Sequence, residues 1–194
     1  MPPKPRKKVK KRVKQTQSPG QRLAIALAKC KKAELIDLIV DLAEDDSNVM
    51  RWLESEVDVK MPADDLADST RLAISDATDF DERQINRNFD YDYGAYEAIE
   101  RNFKKLIDSG NLSVAMDLSL ELMKEGSYQV EMSDEGLMSY DIEKCLNVVI
   151  KALMKKGSHP PSKVIEWCER MVEKDRIGCH CDGELTRLRK RSES

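Results

Sequence analysis

The sequence predicts an all-α protein in which antiparallel helix hairpins stack as a degenerate repeat array or an irregular bundle. Apolar residues recur at helical spacing in one segment after another, and Gly, Pro or Asx-Ser clusters punctuate the ends of those segments. No stretch alternates with period two for long enough to form a strand. Short connections make sequential helices antiparallel neighbours, and the absence of a strict sequence repeat makes the array degenerate. At 194 residues, 40% hydrophobic, 5% aromatic and 36% charged, the chain suits one ordinary domain with some tail, or two small ones. So few aromatic residues favour thin helical layers over one thick centre.

The N-terminus stands apart from the rest. Lys4, Arg6, Lys7, Lys8, Lys10, Lys11, Arg12 and Lys14 give residues 1–20 eight cations and no acid, alongside Pro2, Pro3, Pro5 and Pro19. Such a segment cannot bury enough surface to offset its ordering entropy, so it is expected to be a disordered basic arm. Without it, 25 basic residues face 36 acidic ones, so the −3 of the whole chain becomes an acidic body of −11 with a basic extension. Ser18 suits an N-cap and Pro19 a first helical position, with Gly20 working against the placement.

Along the body, Leu23, Ile25, Ala26 and Leu27 begin a short helix, and Leu35, Leu38, Ile39 and Leu42 repeat at 0, 3, 4 and 7. Asp45-Asp46-Ser47-Asn48 breaks that run and offers a cap to a helix with Val49, Trp52, Leu53 and Val57 on its apolar face. Met61-Pro62 ends it. Ala63 to Thr78 reads as a helix of weaker pattern, and Asp79 to Tyr93 as a short helix and a connector. Three stronger helices follow. Tyr96, Ile99, Phe103, Leu106 and Ile107 form the first face, closed by Ser109-Gly110-Asn111, with Gly110 as a left-handed C′ residue. Leu112, Ala115, Leu118, Leu122 and Met123 form the second, expected to stop at Gly126. Ile142, Cys145, Leu146, Val149 and Leu153 form the third, with Gly157 beyond it. After His159-Pro160-Pro161, Val164, Trp167, Cys168, Met171 and Val172 make a last amphipathic face. The expected organisation is an arm over 1–20, a helical domain over 21–176 with a subdivision near 79–93, and a C-terminal Cys/His and basic tail over 177–194.

Residues about 33 to 57, containing AELIDLIVDLAEDDSNVMRWLES, and about 89 to 173, containing AYEAIERNFKKLIDSGNLSVAMDLSLELMKEG and SDEGLMSYDIEKCLNVVIKAL, resemble the helical region associated with bacterial SWIM-type zinc-finger proteins. The acidic turn of that pattern corresponds to Ser133-Asp134-Glu135-Gly136. The resemblance implies a helical, repeat-like interaction region and no catalytic residues. The finger itself needs a C-x-C pair and a later C-x-H to close a tetrahedral zinc site. Here Cys179-His180-Cys181 is followed by 13 residues with neither Cys nor His, so the finger does not carry over.

Cys168, Cys179, His180 and Cys181 are the one cluster with metal-ligand chemistry, and zinc is the cofactor it would take. The C-x10-C-x-C spacing matches no strong zinc pattern, and Cys168 falls on an apolar stripe where a thiol acts as a small hydrophobe. The competing reading is one core thiol plus an exposed, reactive pair. A C-x-C without βαβ context does not support a thioredoxin-like site. Asp90-Tyr91-Asp92-Tyr93-Gly94 lacks the Gly at position six and the Glu at position twelve of a calcium loop. His159 reads as a capping or solvent residue, since no Ser, Cys or acid nearby makes a recognisable triad or dyad. No phosphate-binding Gly-rich loop, H-E-x-x-H or G-x-S-x-G occurs, so the chain is not expected to be an enzyme.

The functional expectation is a helical interaction or scaffold protein with a protein partner. Its basic arm would contact DNA, RNA or an acidic protein by counterion release, without the aromatic side chains that stack on bases. Arg187, Arg189, Lys190 and Arg191 would extend that footprint. No run reaches the length of a membrane span, and cysteine usage fits a cytoplasmic location, or a nuclear one in a eukaryote.

Overall fold

The computed structural model describes residues 18–57, 60–81, 91–133, 136, 138–155, 157 and 159–193. The arm's cations Lys4 to Lys14, the stretch 82–90, and Asp134 and Glu135 of the acidic turn lie outside them. Among the described residues the protein is all-α, with nine helices and no strand, packed as a bundle. None of these helices is long and apolar enough to cross a membrane. The chain divides into two compact units, Met1–Ser47 and Asn48–Ser194; most of the stretch near 79–93, where a subdivision is expected, lies outside the described residues.

The first unit holds α1 (Pro19–Leu27) and α2 (Lys32–Asp45). Ser18 is the N-cap the sequence suggests. Its Oγ accepts from the Gln21 N–H at 3.2 Å, while the Gln21 side chain accepts from the Ser18 N–H at 3.0 Å, a reciprocal capping box. Pro19 and Gly20 are therefore the first turn of α1 and not the end of the arm. At the start of α2 the Glu34 carboxylate reaches back to accept from the Lys31 N–H at 2.8 Å.

The second unit holds α3 (Ser47–Glu56, all but its first residue), α4 (Ala63–Thr78), α5 (Tyr93–Asp108), α6 (Leu112–Met132), α7 (Ser139–Leu153), α8 (Pro161–Lys174) and α9 (Asp182–Glu193). Helix α5 lies against α4 and α7; α6 against α4, α7 and α8; α9 against α8 and α7. The core forms where these layers meet, around Ile99, Phe103, Leu106, Leu118, Leu122, Met123, Ile142 and Leu146, all closed to solvent. Two polar side chains inside it are paired with each other and with the backbone. The Tyr96 hydroxyl donates to Gln129 Oε1 at 2.8 Å, and Gln129 Nε2 donates to the Ala77 carbonyl at 3.0 Å, which ties α5, α6 and the end of α4 together. Arg51 fixes α3, donating to Asp76 at 2.6 Å and to Asp92 at 2.5 Å while Asp92 caps α5.

The stripes expected of α5, α7 and α8 are buried, except that Ile107 is half-buried and Val172 is exposed. Gly110 has φ +82° and closes α5 as expected: its N–H donates to Ile107 and that of Asn111 to Leu106. Three expectations need correction. Helix α6 does not stop at Gly126 but runs to Met132, because the missing side chain serves packing: a Cβ there would lie 2.9 Å from Ile142 Cδ1 of α7. Trp52 is not a core residue and is 61% exposed. Of the expected tail 177–194, residues 182–193 form α9, whose Leu185 and Leu188 are buried against the bundle.

Candidate functional site

The sequence singles out the C-terminal cysteines and histidine first, and the structure places them around the α8–α9 connection. Helix α8 ends at Asp175, whose carboxylate organises the loop. One oxygen accepts the His180 N–H at 2.8 Å; the other accepts the Ile177 N–H at 3.2 Å and lies 3.1 Å from His180 Nδ1. Burial alone would raise the Asp175 pKa, but the backbone and ring of His180 and the Ile177 N–H outweigh it and hold the carboxyl below its ordinary value. The His180 ring is fully enclosed, with no hydrogen-bond partner for Nε2 among the described residues. Cys181 follows in the left-handed region at φ +55°, with its N–H donating to Glu143 Oε1 at 3.3 Å.

That geometry separates the four residues as ligands. Cys168 and Cys181 are buried, whereas Cys179 is exposed. Among the described residues no group of three or more His, Cys, Asp and Glu side chains could hold a metal ion, so Cys168, Cys179, His180 and Cys181 do not form the zinc cluster weighed from sequence. The left-handed turn at Cys181 sends its thiol into the bundle, where it lies 3.8 Å from Asn147 Nδ2, so the pair is not a jointly exposed reactive tail either. Burial pushes the Cys168 thiol up to about 11 and the Cys181 thiol up to about 12, and burial, Asp175 and Glu143 raise Cys179 as well. All three are protonated at neutral pH, unlike a nucleophilic or redox-active thiolate.

A second constellation has no signal in the local sequence. The starts of α6 and α8 bring Ser113 Oγ within 3.3 Å of His159 Nε2, across 46 residues of chain. They line a groove of about 220 Å³ with Asp117, Lys163, Glu166 and Arg170. A hydroxyl beside an imidazole has the form of a nucleophile–base pair. Ser113, however, stands exposed on the first turn of α6, where nothing keeps water from the contact. The groove floor is structural: the Trp167 indole donates to the Met116 carbonyl at 3.0 Å and contacts Ser119 Oγ at 3.2 Å. A signal was available in principle, because Pro160-Pro161 fixes His159 at a helix start and α6 and α8 are neighbours in the bundle.

The third feature is the apolar surface of the first unit. Helix α1 buries no residue and α2 buries only Ala43. Leu23, Ile25, Ile36, Leu38, Ile39, Val40 and Leu42 are each between 44% and 59% exposed. The basic arm preceding them lies outside the described residues. Of the C-terminal cations, Arg187 pairs with Glu184 at 3.0 Å, and Arg189 with Glu169 and Glu193, each at 3.0 Å. Those pairs reduce what α9 can add to a phosphate-binding footprint.

The chain matches no protein-family model, no curated protein and no solved structure.

Proposed function

We propose that the chain is a helical protein-interaction module without catalytic activity, docking through α1 and α2, with the preceding basic arm adding electrostatic affinity for a nucleic acid or an acidic protein. The observation that carries this reading is the exposure of seven large aliphatic side chains on two helices that bury one alanine between them. Isolated helices of 9 and 14 residues are marginal in water, and most helical stability in proteins comes from packing an apolar face. An apolar surface of this kind marks an interaction site. The resemblance to SWIM-associated helical regions, which rests on residues of this chain alone, points the same way.

A second reading, nucleic-acid binding centred on the arm, is favoured by eight cations between positions 4 and 14. The net −11 of the remaining chain opposes a duplex anywhere else.

The test is capture from native lysate with three proteins: the full chain, a version lacking residues 1–17 that keeps the Ser18 cap, and a full-length Leu42→Glu variant. Each is run with and without nuclease. Partners that survive nuclease and arm removal but are lost with Leu42→Glu are the expected result. Partners lost on nuclease treatment or arm removal, and kept by Leu42→Glu, would transfer the function to the arm.

A further inference from the structure

Residues 1–32 carry twelve cations and no acid: the eight of the arm, Arg22 just ahead of the apolar run of α1, and Lys29, Lys31 and Lys32 just behind it. The sign then reverses, with six acids and no cation from Ala33 to Asp46. Helices α1 and α2 both expose aliphatic side chains, yet a negatively charged surface attracts the first and repels the second.

The two helices also differ in how their apolar side chains are arranged. In α2, Glu34, Asp37, Asp41 and Glu44 gather on one side, so the apolar residues form a face that one partner can cover. In α1 the run Leu23-Ala24-Ile25-Ala26-Leu27-Ala28 is apolar all round. Leu23 and Ile25 leave the helix about 160° apart, and they are 59% and 47% exposed. A groove on a protein covers one side of such a helix, whereas acyl chains close around it. The nine residues of α1 span about 14 Å, less than half of a hydrocarbon core of roughly 30 Å, so α1 reaches into one leaflet and is too short to cross.

From this we infer that α1, with the cations on either side of it, binds the surface of a bilayer that contains anionic phospholipid. The apolar run enters the boundary between headgroups and acyl chains, and the flanking Lys and Arg side chains reach the lipid phosphates and carboxylates. The inference shares with the docking role the exposure of α1 and goes beyond it: lipid takes α1, and a protein partner is left with α2, whose acids an anionic membrane repels. Neither signal suffices alone. A short apolar segment partitions weakly and reversibly, and stable attachment takes a second signal such as a polybasic stretch.

The experiment is co-sedimentation of the purified full-length chain with vesicles of phosphatidylcholine containing about 30% phosphatidylserine, and with vesicles of phosphatidylcholine alone. The chain should pellet with the first and stay in solution with the second. Raising ionic strength from about 0.1 to about 1 M, which shortens the Debye length from about 10 to about 3 Å, should release most of it. Removing residues 1–17 should weaken binding at least about tenfold, and so should the charge-neutral double change Leu23→Gln with Ile25→Gln. Leu42→Gln on α2 should leave it unchanged. Because Leu23 and Ile25 are exposed, circular dichroism of the double variant should keep the bundle's melting transition and show that the loss is not misfolding. Equal binding to both kinds of vesicle, or to neither, would overturn the inference. So would full binding by the double variant, which would make the contact an adsorption of the arm alone, or equal weakening by Leu42→Gln, which would give the surface to α2. A chain that ignores vesicles and binds an oligonucleotide would return the cations to a nucleic acid. Capture of a protein that is lost with Leu42→Glu would leave the docking role standing whatever the vesicles show, and failure of both measurements would remove both.

Discussion

Helices α2 and α7 are 14 and 15 residues long, and each carries aliphatic side chains at helical spacing. In α7 the chain itself supplies what covers them: Ile142, Leu146, Val149 and Ile150 are closed off by α5 and α6. In α2, Ile36, Leu38, Ile39, Val40 and Leu42 stand about half exposed. The contrast separates two questions that an amphipathic pattern merges. Periodicity says which face of a helix is apolar. Whether that face is core or interface depends on whether a complementary face packs on it, and within its own unit α1, nine residues with none buried, does not provide one.

The strongest way to break this comparison is to remove a large side chain from each region. Phe103 is fully enclosed, so Phe103→Ala should cost about 3–5 kcal/mol in urea denaturation of the full chain, through lost transfer energy plus a residual cavity. Leu42→Ala, at a half-exposed position, should change the same midpoint by no more than about 0.5 kcal/mol. Comparable losses at the two sites would mean that α2 is part of the cooperative core, and the contrast would fall.

A smaller effect sharpens the account of the packed region. Gly126 lets α6 and α7 approach until a Cβ would lie 2.9 Å from Ile142 Cδ1 and 3.1 Å from Cγ1. Gly126→Val should therefore overpack the contact and destabilise by about 2 kcal/mol, despite the better helix propensity of valine over glycine. The added volume competes with one side chain. A double-mutant cycle with Ile142→Ala should show costs that are clearly less than additive, and strict additivity would place the strain elsewhere.

Gly126 also shows where sequence reading stops. The chain around it reads as a helix stop, because glycine between amphipathic runs usually is one; what keeps α6 going is Ile142, sixteen positions away on another helix. The legible parts were those whose cause is local: the apolar stripes of α5, α7 and α8, the left-handed Gly110, and the Ser18 cap. Helix α9 was missed because its composition is charged, and two leucines three residues apart suffice when α7 and α8 already supply neighbours. The candidate site was less legible still. Cys-His-Cys spacing names the ligand types but not their directions, and the left-handed backbone at Cys181, which parts its thiol from Cys179, cannot be read from residue identity. The Ser113–His159 contact depends on two helix starts meeting in space.

The smallest effect concerns charge, and it again tells the two regions apart. An ionised carboxylate can be enclosed only where packing holds donors around it, as it does at Asp175, whose side chain is 5% exposed. Its pKa is held below the ordinary value because hydrogen bonds from His180 and Ile177 overcome the effect of burial. A carboxylate depressed in the folded state contributes stability above its unfolded pKa, about 3.9. That contribution disappears as pH falls through the lower, folded value. Asp175→Asn keeps one acceptor and loses the charge, so it should be less stable than the native chain by about 1 kcal/mol at pH 7. Urea melts repeated below pH 4 should show the two proteins converging, because the native chain loses in acid what the variant never had. A gap of constant size from neutral to acid would assign the loss to shape alone. In the first unit no such term arises: α1 and α2 bury no carboxylate, so acid acts there only on exposed, screened charges.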